Sequence, residues 1–513
     1  MKKKLYGIIA ALACVLCMSV FLAACDYDYD DHSHNYKEIE SERIEPTCTL
    51  TGTKFLECEC GEKSTAVISA LGHDYGKDDD KDVICKRCGR LNASDKTVED
   101  TDGLIYTPVM GKNAWTGADE IVALSVDGIE GDVGRYIKIP GSHKIKVEAE
   151  NGTVQEREYN VTEIGAEAFK GCGAISVYVP NNVTKIGDCA FADCESLVGI
   201  TLPERSLAEV GADVFSGCTA LVKIKYESEY YLGCDSNEYL LCIGGDAVTE
   251  LSINAKTRVI ADKAFYGNAG LKTLVIGDEV SGIGEQSFGG CNGIETVSMP
   301  AAAIAYVPQD SLKNVKISSG REIESGAFEG CATMTVLEIA NTVRTVGENA
   351  FAGCDGIEEI TVSTLVVPHI PNANLKRAVV SSATGSNGDK LSDGAFADCK
   401  KLGSVKANVK TIGKNAFAGC TALPTIELPE KVEVIGESAF KNCTALTEVK
   451  IEINVKSIGK QAFYGCESLT DITYAGNIID WGAITFVDEY STPICYGAKL
   501  HYKGISESFK DKR

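Results

Sequence analysis

The sequence predicts a mainly β, right-handed solenoid of about 14 coils, preceded by a small cysteine-rich module. Phenylalanine recurs eleven times between residues 169 and 463, most often at a step of 23 residues. Alanine precedes the phenylalanine in nine of these units, and cysteine follows it by three positions in ten. A unit of this length cannot enclose a core alone, so neighbouring units must stack and share one.

One well-formed unit shows how each repeat is expected to fold. Leu423, Ile426 and Leu428 follow the pattern L-x-x-I-x-I, in which alternate side chains of a short strand turn inward. Pro429 ends that strand because proline has no N–H to donate to the ladder. Gly436 then permits the next corner before the Ala-Phe pair.

The full pattern, L-x-x-I-x-I-P-x-x-V-x-x-I-G-x-x-A-F-x-x-C, resembles the BspA-type (Treponema-like) class of leucine-rich repeats over residues 159–475. The resemblance implies a leucine-rich-repeat solenoid carried by a surface lipoprotein of a Gram-positive bacterium of the gut Firmicutes. It also implies adhesion, or binding to a protein or glycan on a host, matrix or neighbouring-cell surface, without catalysis.

The position three residues after the phenylalanine predicts a ladder of free thiols inside the solenoid. A small side chain fits the inside of a bend, where cysteine packs as a small hydrophobe. Cysteines one coil apart lie near the strand spacing of about 4.8 Å, so disulfides between neighbours are geometrically conceivable. Cysteine occupies this position in ten units and asparagine in one, and this pattern favours free thiols over disulfides. The ladder comprises Cys172, Cys194, Cys218, Asn268, Cys291, Cys331, Cys354, Cys399, Cys420, Cys443 and Cys466.

Three steps between phenylalanines are long, and they predict three further coils that lack the Ala-Phe half. Each gap contains a strand-like segment, at residues 251–253, 312–317 and 375–380. The first gap also contains a predicted hairpin whose strands include residues 230–232 and 239–241. Cys234 and Cys242 lie in this hairpin, where they form either a disulfide or two buried thiols.

Residues 1–24 are predicted to be a lipoprotein signal peptide. A basic start, an apolar run over residues 8–22 and a small-residue pair before Cys25 form the pattern. This resembles a bacterial lipobox, which implies cleavage before Cys25 and attachment of diacylglycerol to its sulfur; the alternative is a plain signal peptide. The protein is therefore expected to be exported and anchored by lipid on the outer face of the membrane, with residues 25–45 as an acidic tether.

Residues 46–100 are predicted to form a cysteine-rich, zinc-ribbon-like module. Paired thiolates on a tight turn can bind a tetrahedral Zn²⁺, and the set would be Cys58, Cys60, Cys85, Cys88 and His73. The segment resembles short C-x-x-C-G repeats of secreted proteins, but its first pair, C-x-C, is one residue short. Two hypotheses therefore stay open, a zinc site and a spacer with disulfide-linked or reduced cysteines.

Both ends of the solenoid are expected to carry caps, because an open core end must be covered. Residues 101–158 are predicted as an N-terminal β cap with strands at residues 104–106, 121–124 and 136–140. Residues 476–513 are predicted as a C-terminal cap and tail, in which Trp481 covers the last coil.

Charge and motifs narrow the function classes. The formal charge of −23 becomes −26 after loss of residues 1–24, which contain three lysines and no acidic residue, and such a chain lacks the basic face that nucleic acid needs. We find no nucleophile–base, metalloprotease or phosphate-loop motif, which predicts a non-catalytic protein.

The outward residues of the strands are expected to form a polar sheet face of mixed charge. It suits an extended contact with a protein or glycan, although the ligand and its contact residues stay unknown; the alternatives are a structural spacer without a ligand and a zinc-dependent interaction module. The pairs expected to point outward are Lys223 and Lys225, Thr296 and Ser298, Glu359 and Thr361, Thr425 and Glu427, Glu448 and Lys450, and Asp471 and Thr473.

Overall fold

The fold is mainly β, as predicted, and its main unit is a solenoid of stacked coils. The structure is a computed structural model in which the chain forms two compact units, residues 1–72 and 73–513. The described residues are 36–39, 52–58, 63–72, 74, 85–88, 90, 100–113, 117–131, 133–148, 153–203, 205–226, 228–233, 240–383, 389–488, 491–502 and 505–507.

The first unit contains a three-stranded antiparallel sheet in the order β1-β2-β3. Cys58 at the end of β2 pairs with Tyr36, and Gly52 at its start pairs with Ile68. The predicted signal peptide, Cys25 and most of the acidic tether lie outside the described residues. The strands are β1 (Tyr36–Glu38), β2 (Gly52–Cys58) and β3 (Lys63–Ile68).

The segments predicted as cap strands are strands, and they already take part in the solenoid. β5 pairs in parallel with β8, with Val126 opposite Ile164, and β6 pairs in parallel with β9 of the next coil. β4 is the sheet edge, where Pro108 presents no N–H to a further strand. The strands are β4 (Leu104–Lys112), β5 (Asp119–Ile129), β6 (Tyr136–Lys138), β7 (Ser142–Glu148), β8 (Val154–Ile164) and β9 (Ser176–Tyr178).

Each coil contributes one strand to a row that we call the long ladder. Apart from the strand at residues 224–226, its strands are parallel and in register, so that Ile360 of one coil lies between Leu337 and Ala378 of its neighbours. The largest sheet of this row has eight strands. The remaining strands of the long ladder are β11 (Gly199–Thr201), β13 (Ile224–Tyr226), β16 (Glu250–Ser252), β18 (Thr273–Val275), β20 (Thr296–Pro300), β21 (Asn314–Ser319), β23 (Val336–Ile339), β25 (Glu359–Ser363), β26 (Arg377–Ser381), β28 (Ser404–Asn408), β30 (Thr425–Glu427), β32 (Glu448–Ile451), β34 (Asp471–Tyr474) and β36 (Lys499–Tyr502).

A second row, the short ladder, consists mostly of two-residue strands at the Ile-Gly corner. These strands are also parallel, as in the pairing of Ile412 with Ile435 and of Ile435 with Ile458. The strands are β10 (Lys185–Ile186), β12 (Glu209–Val210), β15 (Leu240–Gly245), β17 (Thr257–Ile260), β19 (Gly282–Ile283), β22 (Glu322–Ile323), β24 (Thr345–Val346), β27 (Lys390–Leu391), β29 (Thr411–Ile412), β31 (Val434–Ile435), β33 (Ser457–Ile458) and β35 (Thr485–Phe486).

The three coils without an Ala-Phe half are present, but they begin earlier than the sequence suggested. The predicted segments at 251–253, 312–317 and 375–380 overlap β16, β21 and β26, and each of these strands leads into an Ala-Phe half. The coils that lack this half start instead with β13, β20 and β25. β20 and β25 are followed by the 3-10 helices Ala301–Tyr306 and Val367–His369.

After β13, the predicted hairpin crosses between the two ladders. β14 (Glu229–Gly233) pairs antiparallel with β13 and with β15. Tyr231 and Cys242 face one hydrophobic cluster, whereas Leu232 and Leu241 face another. The hairpin therefore divides the core of the main unit into two parts. Cys234, the possible disulfide partner of Cys242, lies outside the described residues.

The Phe positions form stacked rows inside the core. Phe396, Phe417, Phe440 and Phe463 have at most 1% exposure, and their neighbouring ring centroids are 5.2 to 5.5 Å apart. A row of amide hydrogen bonds runs beside them, since the N–H of Phe417 donates to the carbonyl of Ala439 at 2.8 Å. The residue two before each phenylalanine has a positive φ, as at Lys263 with 55°.

The C-terminal segment adds one more coil instead of only covering the last one. Trp481, 6% exposed, lies in α1 (Ile478–Gly482), with its ring 5.2 Å from Tyr474 and 5.6 Å from Phe486. β36 then extends the long ladder, with Leu500 opposite Ile472, and β37 (Ile505–Glu507) pairs antiparallel on it. In the described parts of the chain, no helix is long and apolar enough to cross a membrane.

Candidate functional site

The outward side of the long ladder is a regular surface that the repeats build. Inward residues of its strands are buried, such as Val297, Ile360 and Ile426 at 1%, 2% and 4% exposure. The residues that flank them point outward, as alternation along a strand requires. Lys223 and the outward residues of the long-ladder strands from β16 to β36 are called the long-ladder face below.

The predicted outward residues occupy this face. Glu359, Thr361, Thr425, Glu427 and Glu448 are exposed. The other members at the described positions are half-buried or exposed, and the side chain of Lys225 lies outside the described residues. These members are Lys223, Thr296, Ser298, Lys450, Asp471 and Thr473.

Ion pairs connect neighbouring strands across the face. Lys450 contacts Glu427 at 2.6 Å and Glu452 at 3.0 Å, so one ammonium bridges two carboxylates. Lys316 and Glu338 approach to 3.6 Å. The pairs Lys450–Glu427 and Lys316–Glu338 join adjacent coils and therefore depend on the stacking register, whereas Lys450–Glu452 lies within one coil.

The contacts of Glu427, Lys450 and Asp471 shift their pKa values in the direction that favours the charged form. The hydrogen bond from Lys450 and its charge lower the pKa of Glu427, and hydrogen bonds to Glu427 and Glu452 raise the pKa of Lys450. At the last coil, His501 lies 2.7 Å from Asp471 and lowers the pKa of that carboxyl. Exposed pairs of this kind contribute little to stability, at most about 1 kcal/mol each.

The composition of the face suits a polar contact over many coils. Apolar outward residues are valines that stand singly, at positions 275, 336 and 379. Sequence reasoning did not single out Lys316, Glu338 or Arg377, which belong to this face. The signal was available, because Lys316 and Arg377 flank inward residues of predicted strands in two of the long gaps, and Glu338 lies between Leu337 and Ile339 of a regular unit.

The predicted ladder cysteines lie inside the solenoid as free, buried thiols. In most coils the Sγ donates to the carbonyl of the phenylalanine one coil earlier, at 3.0 to 3.2 Å. The hydrogen bond with Cys399 and burial together raise the pKa of Cys420. The hydrogen-bonded pairs are Cys194–Phe169, Cys218–Phe191, Cys291–Phe265, Cys354–Phe328, Cys420–Phe396, Cys443–Phe417 and Cys466–Phe440.

Two positions of the ladder use a different partner because the preceding coil lacks a phenylalanine. Asn268 donates through Nδ2 to the carbonyl of Val248 at 3.1 Å. Cys331 donates to Oε1 of Gln309 at 3.0 Å, and Gln309 in turn donates to the carbonyl of Ala327 at 2.7 Å. Oε1 of Gln309 takes the place of the phenylalanine carbonyl that accepts this hydrogen bond in other coils. Gln309 is not part of the repeat pattern, so periodicity alone does not identify it.

The predicted metal-binding residues are distributed over both units and beyond the described residues. Cys58 lies in the first unit and is buried, whereas Cys85 and Cys88 share a turn in the second. Cys60 and His73 lie outside the described residues. The Sγ of Cys85 accepts the N–H of Asp74 at 3.3 Å. In the described segments, no three His, Cys, Asp or Glu side chains form a group that could hold a metal ion.

Solved structures of bacterial leucine-rich repeat proteins are similar to this chain. A protein of this class from Bacteroides ovatus has 22% identity and a TM-score of 0.26, over 78% of this chain and 99% of that one. A leucine-rich cell surface protein from Faecalibacterium prausnitzii has 22% identity and a TM-score of 0.21, over 77% and 99%. The T. pallidum leucine-rich repeat protein has 19% identity and a TM-score of 0.21, over 49% and 87%. A search of curated proteins finds no match.

The repeat pattern also matches a protein family directly. The family described as BspA type leucine-rich repeat region (6 copies) matches residues 157–236, 242–317, 303–408 and 373–492. These ranges span the stacked coils and cover more than half of the sequence. The chain therefore belongs to the BspA-type leucine-rich repeat family.

Proposed function

We propose that this protein is a lipid-anchored, cell-surface adhesion protein that binds a protein or glycan of a host, matrix or neighbouring-cell surface through the long-ladder face. The observation that carries the proposal is the polar face of the long ladder, whose largest sheet presents eight parallel strands. A repeated surface of this kind offers many weak contacts instead of one deep pocket. No catalytic role and no nucleic-acid partner are proposed.

The charges of the face favour a partner of mixed polarity. Basic and acidic side chains of adjacent strands face each other at several points, as in the ion pairs Lys316–Glu338, Arg377–Glu359 and Lys450–Glu427. Interfaces with alternating charges gain specificity from register, because like charges meet when the partner shifts by one coil. The proposal therefore favours a partner with its own regular array of polar groups.

The lipid anchor is a separate part of the proposal. It rests on the basic start, the apolar run and the small-residue pair before Cys25. In cells fed an alkyne-labelled palmitate, we expect the full chain to carry the label and Cys25→Ala to lose it. Labelled Cys25→Ala protein would contradict attachment at this sulfur.

The adhesion proposal is tested by capture with the full chain. The biotinylated protein is incubated with surface extracts of host cells and neighbouring bacteria, and bound proteins and glycans are quantified by mass spectrometry and carbohydrate analysis. A face variant, Glu359→Lys with Glu448→Lys, is compared with Glu322→Lys plus Glu348→Lys, which changes charge equally on the short-ladder side.

We expect one or a few surface proteins to be captured by the wild type and the control variant, and to fall at least tenfold with the face variant. Purified partner should then show the same order of affinities in a direct binding measurement. Capture of nothing above background, or equal losses with both variants, would contradict binding through this face and favour a structural spacer.

A further inference from the structure

A groove of about 1320 Å³ lies on the short-ladder side of the N-terminal coils, away from the residues of the long-ladder face. Its lining passes from the edge strand β4, at Thr107–Val109, across the Ile-Gly corners of successive coils to residues 305–308. At about 4.8 Å per coil, the six corners from Asp127 to Glu285 span roughly 25 Å, which matches seven or eight residues of an extended chain.

Bare backbone forms much of the groove floor. Gly187 lies at one corner, and a Cβ placed there would come within 2.5 Å of the amide nitrogen of Ala166 in the preceding coil. Glycine therefore both permits the close stacking of the corners and leaves the floor without side chains. Tyr306, 39% exposed, closes one end and offers an aromatic ring to a ligand.

Carboxylates line the groove in excess of bases. Among the lining residues that the structure describes, Lys185 is the one lysine or arginine, and it pairs with Glu209 at 3.1 Å. Asp188 and Asp262 instead accept backbone N–H groups, from Ala212 at 2.9 Å and from Glu285 at 2.7 Å. The acidic lining residues are Asp127, Glu163, Asp188, Glu209, Asp262 and Glu285.

The same coil position behaves differently outside the groove. Asp393 occupies the position of Asp262 in a later coil, but Lys390 contacts it at 2.9 Å and lowers its pKa. Burial and the nearby charges of Asp188 and Glu285 instead raise the pKa of Asp262, although Lys263 partly offsets them. Asp262 in the groove thus lacks the close lysine partner that Asp393 has at the same position of a later coil.

We propose that this groove binds an extended, lysine- and arginine-rich segment of a partner protein, with the basic side chains between the groove carboxylates and one of them over the ring of Tyr306. The inference deepens the proposed binding function and assigns a second contact site to it. The carboxylates of the groove favour a basic partner, and the glycine corners leave room for the backbone of that partner.

The spread of the carboxylates favours a chain over a single bound cation. In the described residues no three acidic, histidine or cysteine side chains converge on one point where a metal ion would fit. The carboxylates are distributed over successive coils instead, from Asp127 to Glu285. An extended peptide presents every second side chain on one face, about 6 to 7 Å apart, and can contact several of them at once.

The test uses the full chain and a fluorescein-labelled peptide with four Arg-Ser repeats. Fluorescence anisotropy at about 150 mM salt measures its dissociation constant, and a Glu-Ser peptide of equal length serves as the charge control. The groove variant is Asp188→Asn, Asp262→Asn and Glu285→Gln, in which asparagine keeps an acceptor for the backbone N–H groups. The matched control is Glu348→Gln, Asp393→Asn and Glu437→Gln, at the same coil position outside the groove.

We expect the groove variant to weaken binding of the Arg-Ser peptide at least tenfold and the matched control to change it less than twofold. Tyr306→Ala, which keeps the net charge, should weaken binding about threefold to fivefold. Circular dichroism and thermal unfolding establish that each variant is folded.

Equal weakening by both triple variants would mean that the acidic chain attracts the peptide diffusely, and this would overturn the inference. Absence of binding by the wild type would overturn it as well. Neither result affects capture through the long-ladder face, because Glu359 and Glu448 are unchanged in every variant used here. Failure of the groove and failure of the adhesion proposal are therefore distinguishable.

Discussion

Replacing Phe440 with leucine removes two ring contacts from a buried row while keeping an apolar side chain in the core. The ring of Phe440 lies 5.2 Å from that of Phe417 and 5.3 Å from that of Phe463. Phe396 provides a matched control, because it is equally buried but stacks on a single neighbour among the described residues, Phe417 at 5.5 Å.

The expected magnitudes follow from these contacts. Each stacked pair adds about 0.5–1.5 kcal/mol beyond the burial of its area, so Phe440→Leu should lose about 1–3 kcal/mol from stacking and Phe396→Leu about half of that. The cost of refitting a leucine, usually below about 1.5 kcal/mol, is common to both variants and cancels in the comparison. Phe440→Leu should therefore be less stable than Phe396→Leu by about 1 kcal/mol.

Equilibrium unfolding in urea measures this difference. Far-UV circular dichroism follows the whole solenoid, and Trp481 fluorescence follows the C-terminal coils in a Trp115→Phe background. Amide hydrogen exchange of the two coils then localises the loss of stability. Equal losses at Phe440 and Phe396 would refute the reasoning, because burial alone would then account for the loss of stability in both variants.

Four further predictions concern single positions. Lys263→Gly should raise the free energy of unfolding by about 0.5–1 kcal/mol, because its φ of 55° strains a residue with a Cβ, whereas Lys263→Ala should give no such gain. Asp262→Asn should raise the free energy of unfolding at pH 7 but not below about pH 4. The folded-state pKa of Asp262 is raised, so the stability of the wild type falls as the pH rises through that pKa. Asparagine does not titrate, so the variant escapes this loss. With Ellman's reagent, buried ladder thiols such as Cys420 should react only after unfolding, and fast reaction in the native protein would contradict their burial. Measurement of the zinc content of the full chain tests the metal hypothesis. Zinc that is bound by the wild type and lost in Cys85→Ser would support a zinc site, whereas a wild type without zinc would support the spacer.

Much of the coil could be predicted from local pattern. Alternation in L-x-x-I-x-I predicted strands such as β30, where Ile426 is buried between the exposed Thr425 and Glu427. The phase of cysteine after phenylalanine predicted an interior position, and Cys420 is fully buried there. These features depend on residues a few positions apart, and the stacked environment is the same in every regular coil.

The irregular coils were less predictable, because their second halves do not follow the repeat. The strand-like segments of the gaps were assigned to the coils without an Ala-Phe half, yet β20 and β25 start two of those coils. The 3-10 helices that follow these strands have no periodic signal. Likewise, Gln309 accepts the hydrogen bond of Cys331, 22 residues later, because its own coil has no phenylalanine carbonyl for that role.

The sequence by itself determined that this protein is a stacked repeat with an inward row of Phe and Cys, and that its strands expose a polar face of mixed charge. Only the tertiary structure decided that a hairpin divides the core, that both terminal segments extend the ladders, and that carboxylates of successive coils line one groove. The physical reason is distance along the chain. Asp188 and Asp262 are 74 positions apart in sequence, and only the stacking of irregular coils places both in the same groove.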